Sequence, residues 1–382
     1  MKKFRKLLSS LVIPVAIGVA IGVFGIRSGV IPGDVAEAAG EYGDAPGLPG
    51  ILLRFAAMLV SLIAGAYINI IIHEAGHLVA GKLSGYKFIS FRVGSLVIIR
   101  EDGRLVRKKY GIAGTGGQCL MSPPDVTDTQ YNYPFILYNL GGGLANLLFS
   151  VPLLLIGFLA SGYIFMAFFI FAGIGILLGL INLIPLKLGG IANDGLNIIA
   201  CRKRPETRRA LWIQLRYAEL ITQGVPICDI PQEWVVESTG APTDALTGFL
   251  VSFRCYCYLS KGEIEQARDY AKSVIENPGK MLELHINELR CELLFCELIR
   301  ECRADEINKL YTANLQNHIK ALATHLSKQR LIYAYEHLFT KNIVKADKAM
   351  AAFEKACLHT PFKGEVPGER GLVELVKRAG KL

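Results

Sequence analysis

A chain of 382 residues that is 52% hydrophobic, with a mean hydropathy of +0.36, is too apolar for an ordinary soluble protein of its size. Its net charge of +9 invites a nucleic-acid partner. The lysines and arginines flank apolar runs, however, and form no basic stripe interleaved with aromatics, so nucleic acid is set aside. The apolar residues crowd into 1–199, whereas 200–382 is rich in charge and reads as soluble helix. Nine cysteines, an odd number without a C-x-x-C pair, point to reduced thiols rather than a disulfide framework.

The chain begins "MKKFRK" and continues into "LLSSLVIPVAIGVAIGVFGI". That run is too long for a signal-peptide core and ends well before the cleavage-like Ala36–Ala38, so an uncleaved membrane helix is expected. Further runs lie at about 51–81, 134–160 and 163–186, each long enough to cross a bilayer, which takes about 20 residues. Basic residues set the orientation. Lys2, Lys3, Arg5 and Lys6 precede the first run, a cluster from Lys82 to Lys109 follows the second, and "CRKRPETRR" follows the fourth. With four spans, the N-terminus, the 82–131 loop and the tail all fall on the cytoplasmic side of a multi-pass membrane protein.

Between the second and third runs the pattern changes to β. "YKFISFRV" reads as a strand, and "SLVIIREDGRLVRKKY" as a hairpin turning at Asp102-Gly103. "GIAGTGGQCLMSPP" reads as a glycine-rich loop. In the tail, "LVSFRCYCYLSKGEIEQARDYAKSVIENP" and "RLIYAYEHLFTKNIVKADKAMAAFEKACLHTP" each read as a helical hairpin. Both resemble tetratricopeptide hairpins in the spacing of small and large residues, with Ala267 and Ala349 at corresponding positions, but the 34-residue period is missing. The expected fold is therefore mainly α: a polytopic membrane helix bundle with a membrane-associated β-hairpin region and a C-terminal soluble α-helical domain. Its parts are an N-terminal span and external loop (1–50), a membrane domain (51–200) with a β insert at about 86–118, and a cytoplasmic tail (201–382).

The chemistry concentrates in "HEAGH", near the end of the second run. His73 and His77 lie one turn apart on one helix face and can grip a single ion, zinc being the natural choice for two imidazoles. Glu74 lies about 100° further round, beside the ion, where it can accept a proton from water that the metal activates. These are the only histidines before residue 285, and they sit where an ionisable group costs roughly 2.5–3.5 kcal/mol unless it is partnered. The alternative is a pair of buried histidines that satisfy each other. A third ligand must be acidic. Glu101 and Asp102 belong to the hairpin turn, and Asp125 and Asp128 to a polar loop. Asp194, just past the fourth run, remains by elimination; its other reading is a helix cap before Gly195.

With these residues in view, the sequence resembles the site-2 protease family of intramembrane zinc metalloproteases over roughly residues 50–200. His73-Glu74-Ala75-Gly76-His77 matches the family's H-E-x-x-H helix. Gly142-Gly143-Leu144-Ala145-Asn146 resembles its Gly-Pro-x-x-Asn stretch, with Gly143 in the place of proline. Asn182-Leu183-Ile184-Pro185, followed by Asp194-Gly195, resembles its Asn-x-x-Pro and Asp-Gly element, here with several extra residues between the halves. The resemblance implies zinc held by His73, His77 and Asp194, Glu74 as general base, and Asn146 and Asn182 facing the cleft. An asparagine there serves either a substrate backbone or oxyanion, or hydrogen bonds between helices. The glycines Gly141–Gly143 allow close backbone approach of a helix or a substrate.

The function expected is hydrolysis of peptide bonds in membrane-embedded or membrane-adjacent protein or peptide segments, in regulated proteolysis or in signal-peptide and peptide-precursor processing. The tail would recruit a cytoplasmic protein partner. An exposed edge of the β region would pair with an unwound substrate segment, which proline at alternate positions of Val97–Ile99 is expected to block. The alternative is a non-catalytic membrane scaffold with a vestigial zinc site and an interaction tail, against which an intact Glu74 argues. A metal transporter would need acidic or histidine ligands along several helices, and the other runs carry none in their cores.

Overall fold

A computed structural model describes residues 48–101, 103–111, 115–160, 162–188, 191–236 and 242–381. The expected first span and its loop (1–50) lie almost wholly outside the described residues, as does Asp102. Three helices carry the remaining apolar runs: α1 (Leu48–Leu83), α2 (Phe135–Gly157) and α3 (Gly162–Leu183). Each is long and apolar enough to cross a membrane, with mean hydropathies of 2.2, 1.8 and 2.7. Their outward faces are apolar, with Phe55, Val60, Ile63, Leu148, Phe149 and Ile164 each at least 60% exposed. A soluble surface does not present so much apolar area, whereas lipid accepts it. A run that crosses lipid must satisfy its backbone hydrogen bonds internally, and a helix does so.

The chain divides into two units. One comprises the described residues up to Gly76 together with Gly141–Ile184; the other comprises His77–Leu140 and the chain from Pro185 onward. Two of the three cuts fall inside continuous helices, α1 and α2, and the third follows α3. In the first unit Phe165, Met166 and Ile170 of α3 are buried against Ala57 and Met58 of α1. Glycines bring the helices together, as is usual where lipid removes the hydrophobic drive for association. A Cβ on Gly143 would lie 2.6 Å from Leu183 Cγ, and one on Gly179 would lie 3.0 Å from the Gly143 carbonyl oxygen.

In the second unit α1 stops on a glycine cap. Gly85 has φ +80°, its N–H donates to Lys82, and the Tyr86 N–H donates to Gly81 five residues back. The chain therefore leaves the HEAGH helix directly into a sheet of β1 (Lys87–Val93), β2 (Leu96–Glu101), β3 (Arg104–Lys109) and β4 (Gly117–Ser122), all antiparallel, in the order β3-β2-β1-β4. The hairpin turns where expected: Glu101 pairs with Arg104, and Gly103 has φ +78°. Two expectations are corrected. "GQCLMS" is a strand paired along β1, not part of a glycine-rich loop, so the insert reaches Ser122. Val97–Ile99 lies in β2, an interior strand; the two edges are β3 and β4, and β3 is the more exposed of them.

A two-rung ribbon of β5 (Lys187–Leu188) and β6 (Ile191–Ala192) leads into α4 (Asp194–Lys203) and α5 (Pro205–Thr222). The sheet packs on α5. Ser122 Oγ donates to the buried Glu219, and Trp212 Nε1 donates to the Pro124 carbonyl. Trp212 also meets Trp234 edge-on at 5.4 Å and lies beneath the Arg216 guanidinium.

The tail continues through α6 (Glu233–Val236), α7 (Ala245–Ser260), α8 (Ile264–Glu276), α9 (Glu283–Ile299), α10 (Ala304–Leu310), α11 (Ala313–Ala321), α12 (Leu326–Ala334), α13 (Ile343–His359) and α14 (Val366–Ala379). Both expected hairpins are present, α7–α8 and α12–α13, and Ala267 and Ala349 are buried in their common core. A network of ionisable side chains runs through that core. Arg330, fully buried over the Phe295 ring, bridges Glu292 at 2.7 Å and Glu369 at 2.6 Å. Glu288 accepts from Lys328, His318 and Tyr256.

Candidate metal centre

The site is built outward from α1. Its 3.6-residue turn stacks His73 over His77, and each imidazole is held through the same nitrogen. His77 Nδ1 lies 2.8 Å from the Tyr138 carbonyl oxygen, which can only accept, so Nδ1 carries the proton. His73 Nδ1 donates to Asn146 Oδ1 at 2.8 Å. Both rings therefore turn a lone pair outward on Nε2. This arrangement, with the distal ring N–H given to a carbonyl, is typical of metal-ligating histidines.

Asp194 reaches the same place by a separate route. It opens α4, where a carboxylate is favoured by the helix dipole. The cap is its neighbour: Asn193 Oδ1 accepts from the N–H of Leu196 and from that of Leu186, while the Asn193 N–H returns to the Leu186 carbonyl. Asn193 thus closes the ribbon and starts the helix. The ribbon follows Pro185, and Asp194 emerges from it beside His77, with Oδ2 3.4 Å from Nε2.

The ligand-capable atoms of His73, His77 and Asp194 all lie within 4.8 Å of one another. Around a tetrahedral zinc with bonds near 2.0–2.1 Å, ligand atoms sit about 3.3 Å apart. Two imidazoles and one carboxylate gathered this closely are a donor set that could hold a metal ion. Comparison with known proteins adds no family: no family model, no curated protein and no solved structure matches this chain.

Glu74 follows His73 on the same helix and is buried. Gly76, between Glu74 and His77, is the point at which α1 meets α2: a Cβ there would lie 2.2 Å from the Gly141 carbonyl oxygen. Asn146, fully buried, has its amide engaged with His73 and with Asn69, to whose carbonyl oxygen it donates at 2.9 Å. Asn182 donates to Leu178 one turn back in its own helix. Gly142 and Gly143 are buried along α2. Sequence reasoning passed over Tyr138, whose contribution is a main-chain oxygen, and Asn69, which belongs to no motif.

Proposed function

We propose that this chain is an integral-membrane zinc endopeptidase that hydrolyses peptide bonds in membrane-embedded or membrane-adjacent segments. The observation that carries the reading is the matched pinning of both imidazoles through Nδ1, with Nε2 of His77 turned to a carboxylate. The motif resemblance to site-2 proteases supports it. His73, His77 and Asp194 would hold the ion. A bound zinc supplies Lewis acidity, polarising a carbonyl and bringing the pKa of water to about 7. Glu74, one residue beyond the first ligand, accepts the proton of the attacking water and delivers it to the departing amine nitrogen. The Tyr138 carbonyl and Asn146 keep the imidazoles aligned.

A helical substrate hides its carbonyls, and the open edge of β3 offers main-chain partners for an unwound segment. In the membrane, the basic residues of 82–109 and 202–209 would place the sheet and the tail on the cytoplasmic side of a multi-pass protein. The tail is then positioned to bind a cytoplasmic partner.

The purified protein is expected to contain about one zinc per chain. Glu74→Gln should keep the metal, lose cleavage and retain bound substrate for identification. A protein that neither contains zinc nor takes up zinc or cobalt would falsify the reading.

A further inference from the structure

Asn69 stands one turn before His73 in α1, within the apolar run, and is fully buried. A polar side chain at such a position needs partners or a purpose. Its Nδ2 donates to the Gly65 carbonyl oxygen in α1 at 2.9 Å and to the Phe171 carbonyl oxygen in α3 at 2.9 Å. These two acceptors fix the amide, because turning it over would set Oδ1 against both carbonyl oxygens. The main-chain oxygen of Asn69 and its Oδ1 then accept from Asn146 Nδ2, at 2.9 and 3.3 Å. With that NH2 group committed, Asn146 can offer His73 only its Oδ1, so His73 Nδ1 must donate. The donors run in one direction: His73 to Asn146, Asn146 to Asn69, and Asn69 to carbonyls in two helices. Only the His73 tautomer with its lone pair on Nε2 satisfies the whole chain.

Space is reserved for this arrangement. A Cβ on Gly175 of α3 would lie 2.3 Å from Asn69 Oδ1 and 1.9 Å from Ser150 Oγ. No alanine fits there without displacing the amide.

We propose that Asn69 is a positioning residue for the metal centre, setting the tautomer and ring orientation of His73 through Asn146. The inference rests on the metal reading above. Cobalt(II) is the probe, since its ligand-field absorption reports ligand number and geometry without any turnover. In the full chain, Asn69→Leu is expected to weaken cobalt binding about tenfold or more and to alter the ligand-field bands, as loss of such outer partners does. Gly175→Ala, which removes no polar group, should change the bands in the same sense. Gly157→Ala crowds Phe168 on the α2–α3 contact, its Cβ 3.1 Å from Phe168 Cβ, without touching the polar chain. It should leave the bands unchanged, which separates positioning from general packing.

A folded Asn69→Leu protein with affinity within about twofold of the unaltered chain and identical bands overturns the proposal. If Asn69→Leu fails to fold, unchanged bands in Gly175→Ala overturn it. An unaltered protein that neither holds zinc as purified nor gives cobalt bands once stripped of metal overturns the metal reading and this inference together, whereas bands in it with an unmoved variant overturn only this one.

Discussion

Gly76 occupies one of the two unspecified positions of H-E-x-x-H, and its constraint comes from a neighbouring helix. The carbonyl 2.2 Å from its would-be Cβ is backbone and cannot swing aside. Gly76→Ala is therefore expected to cost about 1–3 kcal/mol by overpacking. Because it separates Glu74 from His77, it should also lower zinc content, and a variant with unaltered melting temperature and metal would contradict this account. At this scale the sequence made some groups legible and not others. His73, Glu74 and His77 could be read because a helix converts spacing into facing. Asp194 could be reached only by elimination, since nothing local shows where the ribbon returns it. The Tyr138 carbonyl was illegible because a main-chain oxygen carries no residue identity. Asn69 shows in the sequence only as an amide in an apolar run, and its partners come from two other helices.

Among the elements, the three apolar helices and both tail hairpins were legible because each rests on a long periodic pattern. Strand β4 was not. Gly-Thr-Gly-Gly masks its start, and Gln118, Cys119 and Met121 carry little β signal, so its pairing with β1 is a tertiary effect. The sheet order likewise follows from that pairing, which takes β1 off the edge and leaves β3 and β4 as the outer strands. Proline at alternate positions of Arg104–Lys109 should impair cleavage while leaving zinc content intact; cleavage unchanged at every position would reject strand pairing. The ribbon gives a second test. Asn193→Ala removes the cap of α4 and the tie to Leu186, a loss of about 1 kcal/mol. Since Asp194 follows directly, the variant should release zinc to a chelator faster than the unaltered protein, and equal release rates would dissociate the ribbon from the ligand.

At the scale of the molecule, the charged tail core sets a pH dependence that the sequence did not disclose, because it depends on which helices face one another. Burial, and next the Glu369 and Glu288 carboxylates, push Glu365 up to about 8. Below about pH 4.5 it is protonated whether the chain is folded or not. From there to about pH 8 the unfolded chain gives up the proton and the folded chain keeps it, so stability falls as pH rises across that window. Glu365→Gln should remove this slope, and melting of the full protein in detergent at pH 5 and pH 8 measures it; the same slope in both proteins would show that the carboxyl is not responsible. Glu288 acts in the opposite sense. Burial pushes it up, but Lys328 and His318 hold it well below the usual carboxylate range, and its contribution is lost as acid protonates it. The Trp212–Trp234 pair described above has a practical corollary. They are the only two tryptophans in 382 residues. Indole emission from the intact protein therefore comes from a single locus between the sheet and α5, and gives an intrinsic optical gauge of that seam that needs no attached dye.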